Sequence, residues 1–295
     1  MTTFNRWASA TATLSSLVTT KNSFIEIIVI DDCSDSAPPK DFTDLVKQNS
    51  VKFIRHRKNM GLPAARNSAI QLANGKYFSF CDDDDIWHPR AVELILTSIE
   101  KYNPDMLIAQ SKDVISRIHS NPSKNLKDLF FLGVTPPVGS QVYLLSLIKS
   151  VGGYCEYITS GVDHDLWVRL VSNKNINVRI ISGSIAIPNK NNNLDRMTLN
   201  VDRRVKGISH SLEIWRDDLV KTFGINFFKH FKNEYQYHIK KKFLLSAIQR
   251  NDISYLLADI KYLVLEFRLF YHFLEFLHLK KKVSSFRPYK GERND

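Results

Sequence analysis

The run Tyr77-Phe78-Ser79-Phe80-Cys81-Asp82-Asp83-Asp84-Asp85 is a short apolar segment that ends in four consecutive carboxylates. A second apolar run, Phe24 to Ile30, has the same form, because Asp31 and Asp32 follow it directly. Both runs have the length and the composition of buried strands. We therefore predict two strands that each carry acidic residues at their carboxyl ends.

Helical patterns alternate with apolar runs through the first part of the chain. Pro63 and Pro89 each open a predicted helix, and further strands are predicted at Val51 to Ile54 and at Met106 to Ala109. This alternation indicates an α/β fold in which helices flank a mostly parallel sheet. In open sheets of this kind, ligands bind at the carboxyl ends of the strands, where both acidic clusters fall.

The acidic clusters have two interpretations that the residues alone leave open. Carboxylates brought together repel one another unless cations neutralise them, and Mg²⁺ or Mn²⁺ binds carboxylates together with phosphates and waters. An Asp-x-Asp at a strand end therefore suits a metal-bound diphosphate, whereas an isolated acidic run can equally be a solvated loop. Arg66, in the first turn of the Pro63 helix, is a candidate to reach a diphosphate or a base held at this edge.

The composition narrows the class of protein. A chain of 295 residues with 43% hydrophobic content can bury a substantial core as one large domain or as a domain with an appendage. Cys33, Cys81 and Cys155 contain no C-x-x-C pair, which predicts neither a disulfide framework nor a cysteine zinc site and favours a reducing, cytoplasmic setting. Met1 is not followed by the basic and apolar regions of a cleavable signal.

The formal net charge of +11 is concentrated near the end of the chain, since residues 221–295 hold 15 Lys and Arg against 7 Asp and Glu. The chain contains no helix-turn-helix, zinc-finger or RNP motif. We therefore expect no nucleic-acid partner.

We predict two domains, an α/β domain over residues 1–205 and a basic, amphipathic helical C-terminal region over residues 206–295. Ser182 to Val205 is polar and is predicted as a mobile loop. The apolar segment Tyr255 to Leu279 carries too many charged residues for a membrane span. The C-terminal region either lies on an anionic membrane surface or packs as a helical subdomain or dimer contact, and both alternatives stay open.

Several motifs in a fixed order resemble the family 2 glycosyltransferases, which are inverting enzymes with the nucleotide-sugar-binding, Rossmann-like GT-A fold. The resemblance runs from Thr3 to about Leu170. Its segments are Thr3-Phe4-Asn5-Arg6, Glu26 to Ser34, Asn59 to Asn67, Phe80 to Trp87, Gly152-Gly153-Tyr154 and Asp163 to Leu170. Each segment alone is moderately specific, and the complete order is strong.

The resemblance implies a role for each donor-side position. Asp32 is expected to bind the nucleobase, with Arg66 nearby in the donor pocket. Asp82 and Asp84 match the outer residues of the family's Asp-x-Asp, so Asp82 would contact the donor ribose or the metal shell and Asp84 would ligate Mn²⁺ or Mg²⁺.

The resemblance also implies a catalytic base. Asp163 matches the second residue of the family's Glu-Asp pair, which takes the acceptor proton, although Val162 stands where the family has Glu. Asp163 is also well placed to cap a helix, and the two roles are compatible. Cys33 and Cys155 replace a Gly and an acid of the family pattern at positions that we expect to tolerate the change.

The implied function is transfer of a sugar from a nucleotide sugar, with UDP the expected nucleotide, onto an acceptor hydroxyl with inversion. The implied setting is surface polysaccharide or glycoconjugate assembly in the cytoplasm, with a saccharide or lipid-linked saccharide acceptor and, through the basic tail, an anionic membrane surface. Two other classes are weighed against this function. A catalytically silent nucleotide-sugar-binding or scaffold protein would keep the fold without the base, and a sugar nucleotidyltransferase would need a Gly-rich phosphate loop that Thr2 to Arg6 does not offer.

The start of the chain departs from the family pattern. The resemblance places an apolar central strand immediately before the Thr-x-Asn-Arg element, and Met1 falls where that strand should be ending. We therefore expect a chain that lacks most of its first strand.

Overall fold

The computed structural model describes residues 1–110, 136–158, 161–172, 176–188 and 201–233. The chain divides into two compact units, Met1–Met197 and Thr198–Asp295. All described strands lie in the first unit. The second unit contributes a long helix that begins at Val201, so the predicted domain boundary at residue 205 falls inside that helix and stays a prediction.

Three parallel strands form the first part of the sheet, in the order β1-β2-β3. They are β1 (Thr2–Thr3), β2 (Ile28–Asp31) and β3 (Lys52–Arg55). Every residue of β2 is buried, as expected for a strand that is covered on both faces. The first strand of this sheet, β1, has two residues in the structure. Its second residue, Thr3, lies opposite Asp31 of β2.

The start of β2 differs from the sequence prediction, which placed it at Phe24. Phe24 is 80% exposed, and its backbone amide donates to the side chain of Asn22 in a turn. Strand pairing begins only at Ile28, opposite Lys52. Glu26, which lies before the strand, uses its carboxylate to bind the backbone amides of residues 74 and 75 instead.

Four further strands continue the sheet in the order β4-β7-β6-β8. They are β4 (Tyr77–Ser79), β6 (Met106–Gln110), β7 (Gln141–Leu144) and β8 (Val178–Ser182). β6 and β8 are parallel, and β7 runs antiparallel to both of its neighbours. A parallel bridge between Thr2 and Asp82 connects β1 to the segment that follows β4. The predicted α/β fold with a mostly parallel sheet is therefore confirmed.

Helices of the first unit connect and flank these strands. They are α1 (Trp7–Thr20), α2 (Lys40–Gln48), α3 (Leu62–Leu72), α4 (Ala91–Tyr102), α5 (Leu145–Ser150) and α6 (Val162–Ser172). Pro63 lies in the first turn of α3, as predicted from its fixed φ angle. The rings of Trp7, Phe42 and Phe53 meet edge to face and join α1, α2 and β3 in one apolar cluster.

A short antiparallel ribbon pairs β5 (Asp85–Trp87) with β9 (Ala186–Pro188). The sequence prediction of a loop from residue 182 onwards is therefore wrong over residues 186–188, because Ile187 pairs with Ile86 and the apolar run completes the ribbon. The prediction is also wrong from Val201, where a helix begins. Residues 189–200 of the predicted loop lie outside the described residues.

The second unit is helical in its described part. It contains α7 (Val201–Phe223), followed by helical residues 225–233. No helix within the described part of the chain has both the length and the apolar character needed to cross a membrane. The amphipathic segment predicted at Tyr255 to Leu279 lies outside the described residues, as does the rest of the C-terminal region after residue 233.

Candidate active site

The acidic loop after β4 lies beside the carboxyl ends of β1 and β2, as predicted. Thr2 bridges to Asp82, while Thr3 lies opposite Asp31, so the two acidic clusters meet across the two-residue strand β1. The loop itself is a tight turn, because the backbone amide of Asp85 donates to the carbonyl of Asp82 at 3.1 Å. This arrangement places both clusters at one edge of the sheet.

Asp83 anchors this loop to the start of α1. Its carboxylate accepts hydrogen bonds from Thr3 Oγ1 at 2.7 Å and from Arg6 Nη1 at 2.8 Å. Its carbonyl accepts from Ser9 Oγ and Thr13 Oγ1. Burial raises the pKa of Asp83 to about 6, although Thr3 and Arg6 oppose the shift. Asp83 is thus a structural residue that fixes its two neighbours in the loop.

Asp82 and Asp84, on either side of Asp83, remain partly exposed. The side chain of Asp82 is 38% exposed and that of Asp84 is 15% exposed. Arg6 Nη1 lies 3.6 Å from Asp84 Oδ2, so the residue that holds Asp83 also faces Asp84. The alternation of one buried and two partly exposed carboxylates is what an Asp-x-Asp element needs to present its outer residues.

Arg66 of α3 joins the acidic loop to α6. Its side chain is almost completely buried, with Nη2 at 2.9 Å from Asp82 Oδ1 and Nη1 at 2.6 Å from Asp163 Oδ1. The guanidinium also contacts the rings of Phe80 and Tyr154, 5.2 and 5.1 Å from their centroids, and these two rings meet edge to face. Burial acts to lower the pKa of Arg66, but Asp163, Tyr154 and Asp82 outweigh it and raise the pKa above its usual value. Arg66 is therefore a permanent buried cation that is held by two carboxylates.

This position adds to the role that was predicted for Arg66. The sequence prediction placed its guanidinium against a donor diphosphate or base, whereas the structure gives it two carboxylate partners from segments far apart in the chain. Its Nε has no hydrogen-bond partner among the described residues. The donor-binding assignment of Arg66 stays a prediction.

Asp163 lies in the first turn of α6, with its side chain 33% exposed. Both of its described side-chain contacts involve Oδ1, which accepts from Arg66 and lies 3.4 Å from the Tyr154 hydroxyl. Burial raises the pKa of Tyr154 well above its usual value, so this hydroxyl remains a donor at neutral pH. Asp163 is thus oriented by side chains that approach one of its two oxygens.

Helix α6 is itself fixed to the sheet. Trp167 Nε1 donates to Gln141 Oε1 of β7 at 2.8 Å, and Arg169 Nη1 donates to the carbonyl of Val151 at 2.5 Å. Gln141 is fully buried, and its amide group donates to the carbonyls of residues 136 and 137. The sequence carries no signal that Gln141 binds α6, because its partner Trp167 lies 26 residues further along the chain.

Asp32 holds the segment that leads into α3. Its Oδ1 accepts from His56 Nδ1 at 2.8 Å and from the backbone amide of Met60 at 2.9 Å, and its Oδ2 accepts from the amide of Gly61 at 2.7 Å. A carboxylate has about four acceptor sites, so three bonds leave about one site on Oδ2. Because Asp32 is also buried, its predicted contact with a nucleobase stays a prediction. His56 continues the network to Ser68 Oγ, at 3.0 Å.

Cys33 adopts a positive φ of 69° immediately after Asp32. A side chain in this left-handed region costs about 1–2 kcal/mol relative to the usual conformations, a cost that glycine avoids. Cys33, which stands where the family pattern has glycine, is therefore accommodated with a strained backbone.

Asn67 holds the Gly-Gly-Tyr segment against α3. Its Oδ1 accepts from the amide of Tyr154 at 2.8 Å, while its Nδ2 donates to the Tyr154 carbonyl at 2.9 Å. Gly153 has φ +70°, and a Cβ there would lie 2.5 Å from Asn67 Oδ1. The sequence motifs contained both residues, but only the structure shows that they fix Tyr154 beside Asp163.

Asp82 and Asp84 are the positions predicted to hold a divalent ion together with a diphosphate, and each already pairs with an arginine, Asp82 with Arg66 and Asp84 with Arg6. No group of three or more His, Cys, Asp or Glu residues that would form a complete ligand set occurs among the described residues. Mg²⁺ in nucleotide sites is commonly held by one or two carboxylates together with phosphates and waters. Asp82 and Asp84, at one turn of the chain and partly exposed, provide such a partial set.

Comparison with known proteins places this arrangement among glycosyltransferases. The model of Glycosyl transferase family 2 matches residues 1–135. An uncharacterized glycosyltransferase of Methanocaldococcus jannaschii is 28% identical over 198 residues, which cover 60% of this chain and 65% of the relative. WcaA of Escherichia coli K12, whose name links it with colanic acid biosynthesis, is 34% identical over 97 residues, or 32% of this chain and 35% of WcaA. The chain thus spans about two thirds or less of the length of these relatives.

Solved structures share the fold at low sequence identity. S. aureus TarS superposes with a TM-score of 0.59 at 17% identity, covering 82% of this chain and 42% of TarS. The mannosyltransferase PcManGT from Pyrobaculum calidifontis, solved with GDP-Man and Mn²⁺, superposes with a TM-score of 0.55 at 12% identity, covering 91% of this chain and 80% of PcManGT. These likenesses establish the GT-A fold.

Proposed function

Because this chain belongs to the family 2 glycosyltransferases, we propose that it moves a sugar from a nucleotide sugar onto an acceptor hydroxyl, with inversion at the anomeric carbon. The observation that carries this proposal is the position of Arg66. One buried guanidinium joins Asp82 of the Asp-x-Asp to Asp163, the proposed base. This contact supports the proposal, because it joins the proposed donor loop and the proposed base through one side chain.

Asp163 is the proposed general base. Arg66 and Tyr154 approach Oδ1, and this orientation leaves Oδ2 to accept the proton of the attacking hydroxyl. The hydroxyl oxygen forms the new bond to the anomeric carbon as the bond to the nucleoside diphosphate breaks on the opposite side. A single in-line displacement of this kind inverts the configuration.

Asp84 and Asp82 are the proposed positions for a divalent ion, Mn²⁺ or Mg²⁺. When bound, such an ion neutralises negative charge on the departing diphosphate. Arg6 pairs with both Asp83 and Asp84, and Arg66 pairs with Asp82, so an ion bound here would share its carboxylates with these two arginines. The mannosyltransferase solved with GDP-Man and Mn²⁺ shares this fold, which supports the assignment.

The nucleobase is proposed to lie between Phe4 and Asp32. The amide of Asp32 donates to the carbonyl of Thr3, so Phe4 follows β1 at the same edge where Asp32 follows β2. Phe4 is 40% exposed, and an aromatic ring there provides a face on which a base can stack. UDP is the proposed nucleotide, in line with the UDP-GlcNAc complex of TarS.

The acceptor is proposed to be a saccharide or a lipid-linked saccharide in surface polysaccharide or glycoconjugate assembly. The relationship to WcaA supports this setting. We further propose that the protein works in the cytoplasm, with its basic C-terminal region against an anionic membrane surface.

One observation favours a second candidate, a nucleotide-sugar-binding protein without catalysis. Val162 occupies the position of the family's Glu and is almost completely buried, so no second carboxylate precedes Asp163 there. Against this candidate, Arg66 and Tyr154 still orient Asp163 as a base requires.

A panel of nucleotide sugars tests the proposal. The protein is incubated with UDP-linked and GDP-linked sugars, with Mn²⁺, with Mg²⁺ or with chelator, and both hydrolysis and transfer are measured. The proposal predicts metal-dependent release of nucleoside diphosphate from one donor class. Tight binding of a nucleotide sugar without any turnover would favour the silent binding protein instead.

A further inference from the structure

The segment that follows α5 displays an exposed aromatic ring from a fixed backbone. Tyr157 is 82% exposed, although Tyr154 and Ile158 on either side of it are buried. Asn67 binds both the amide and the carbonyl of Tyr154, and the amide of Ile158 donates to the carbonyl of Cys155 at 3.2 Å. The ring therefore projects from a turn that is pinned at both ends.

Glu156, the residue before Tyr157, carries a carboxylate that is held in position. Asn67 Nδ2, which holds the Tyr154 carbonyl, also donates to Glu156 Oε1 at 2.9 Å. Glu156 is exposed, and this contact orients its carboxylate while its other oxygen keeps its acceptor capacity. An exposed aromatic ring and, on the preceding residue, an oriented carboxylate are groups that suit a pyranose, whose C–H groups stack on aromatic rings and whose hydroxyls donate to carboxylates.

The turn begins at the residue that contacts the proposed base. The Tyr154 hydroxyl is 3.4 Å from Asp163 Oδ1, and the Cα atom of Tyr157 lies at most about 11 Å from that of Tyr154, three residues earlier in the chain. The start of the segment is fixed to the same helix as Asp163, because Arg169 of α6 donates to the carbonyl of Val151. A sugar on Tyr157 would therefore be held by the same rigid elements that position the base.

We propose that Tyr157 and Glu156 form the binding site for the saccharide acceptor, in which the ring stacks on a pyranose and the carboxylate accepts a hydroxyl. This inference rests on the proposed glycosyl transfer and names its acceptor as a sugar that presents an apolar ring face. The donor nucleobase, by contrast, is assigned to Phe4 and Asp32. The two sites belong to different segments, so a substitution in one site can be tested for its effect on the other.

Saturation-transfer NMR tests this proposal with a mixture of methyl glycosides of glucose, galactose, mannose and N-acetylglucosamine, in the presence of UDP and Mn²⁺. The wild-type protein is expected to transfer saturation to the ring protons of at least one glycoside. Tyr157→Ala should reduce that signal by about fivefold, the loss expected when an aromatic stacking contact is removed. Tyr157→Phe should retain the signal, and Glu156→Gln should weaken it, while the affinity for UDP stays unchanged in all three variants.

Three outcomes would overturn the proposal. They are the absence of any glycoside signal in the wild-type protein, an equal signal in Tyr157→Ala, and a loss of signal that is accompanied by a loss of UDP affinity. Failure of the proposed function is detected separately, because a wild-type protein that binds no nucleotide in calorimetry would contradict glycosyl transfer whatever the glycosides do.

Discussion

Arg66 Nη1 and Asp163 Oδ1 lie 2.6 Å apart, although 97 residues separate them in the chain. The contact joins the second turn of α3 to the first turn of α6. Since the same guanidinium binds Asp82, the proposed metal and donor loop and the proposed base share one buried cation. Removing this cation would leave two carboxylates without their main partner.

We expect Arg66→Met to lower the free energy of unfolding by about 3 kcal/mol, because it breaks a buried ion pair from one side. Arg66→Lys is the matched control. It keeps the charge, but a single ammonium group cannot bond two carboxylates as a planar guanidinium does, so stability should recover in part while turnover stays at least about tenfold reduced. Denaturant titration and transfer rates measure the two effects. Wild-type turnover in the Lys variant would show that bridging by Arg66 is unimportant.

The acidic loop predicts different outcomes for neighbouring substitutions. Asp84→Ala should weaken metal-dependent nucleotide binding far more than Asp83→Ala, because Asp83 faces Thr3 and Arg6 rather than the donor. Asp83→Asn is the better control, since it retains the shape that the buried position requires. Calorimetry with UDP, with and without Mn²⁺, gives the comparison. Equally tight binding of the nucleotide in the presence of chelator would contradict the metal assignment.

The strained backbone at Cys33 predicts a stabilising substitution. Cys33→Gly relieves the positive φ but increases the freedom of the unfolded chain, and the net gain should be about 0.5–1 kcal/mol. Cys33→Ala is the control, because it keeps a Cβ and therefore the strain. Thermal unfolding distinguishes the two variants. A gain in Cys33→Ala as large as that in Cys33→Gly would place the effect in the thiol and not in the backbone.

Glu26 predicts a pH-dependent contribution to stability. Burial acts to raise the pKa of its carboxyl, but Lys52 and the amides of Asn74 and Gly75 outweigh it and lower the pKa overall. A carboxyl whose pKa is lower in the folded state stabilises the fold above its unfolded pKa and loses that contribution as pH falls through its folded pKa. Glu26→Gln should therefore cost about 1 kcal/mol at pH 7, and less as the pH falls below about 4.5. A cost that is constant from pH 7 to pH 3.5 would argue against this role.

The alternation of elements and the acidic strand ends could be predicted from the sequence, because they depend on local patterns of apolar and charged residues. The prediction that β2 begins at Phe24 is wrong. An apolar side chain does not indicate where pairing with β3 begins, and in the structure it begins at Ile28. The partners of Arg66 and Asn67 could not be predicted either, because Asp163 and Tyr154 come from segments about 90 residues or more away. Contacts of this kind depend on the packing of α3 against α6 and the Gly-Gly-Tyr segment, which single-sequence patterns do not encode.

The central claim is that Asp163 is the base of a glycosyl transfer, and Asp163→Asn tests it most directly. Asparagine keeps an oxygen for Arg66 but cannot take up the acceptor proton. With the donor and metal identified by the nucleotide-sugar panel, transfer should fall by about 10² or more. UDP affinity should change little, whereas the melting temperature should fall moderately, because a neutral amide removes one of the two negative charges that Arg66 binds. Transfer by Asp163→Asn at the wild-type rate would contradict the account.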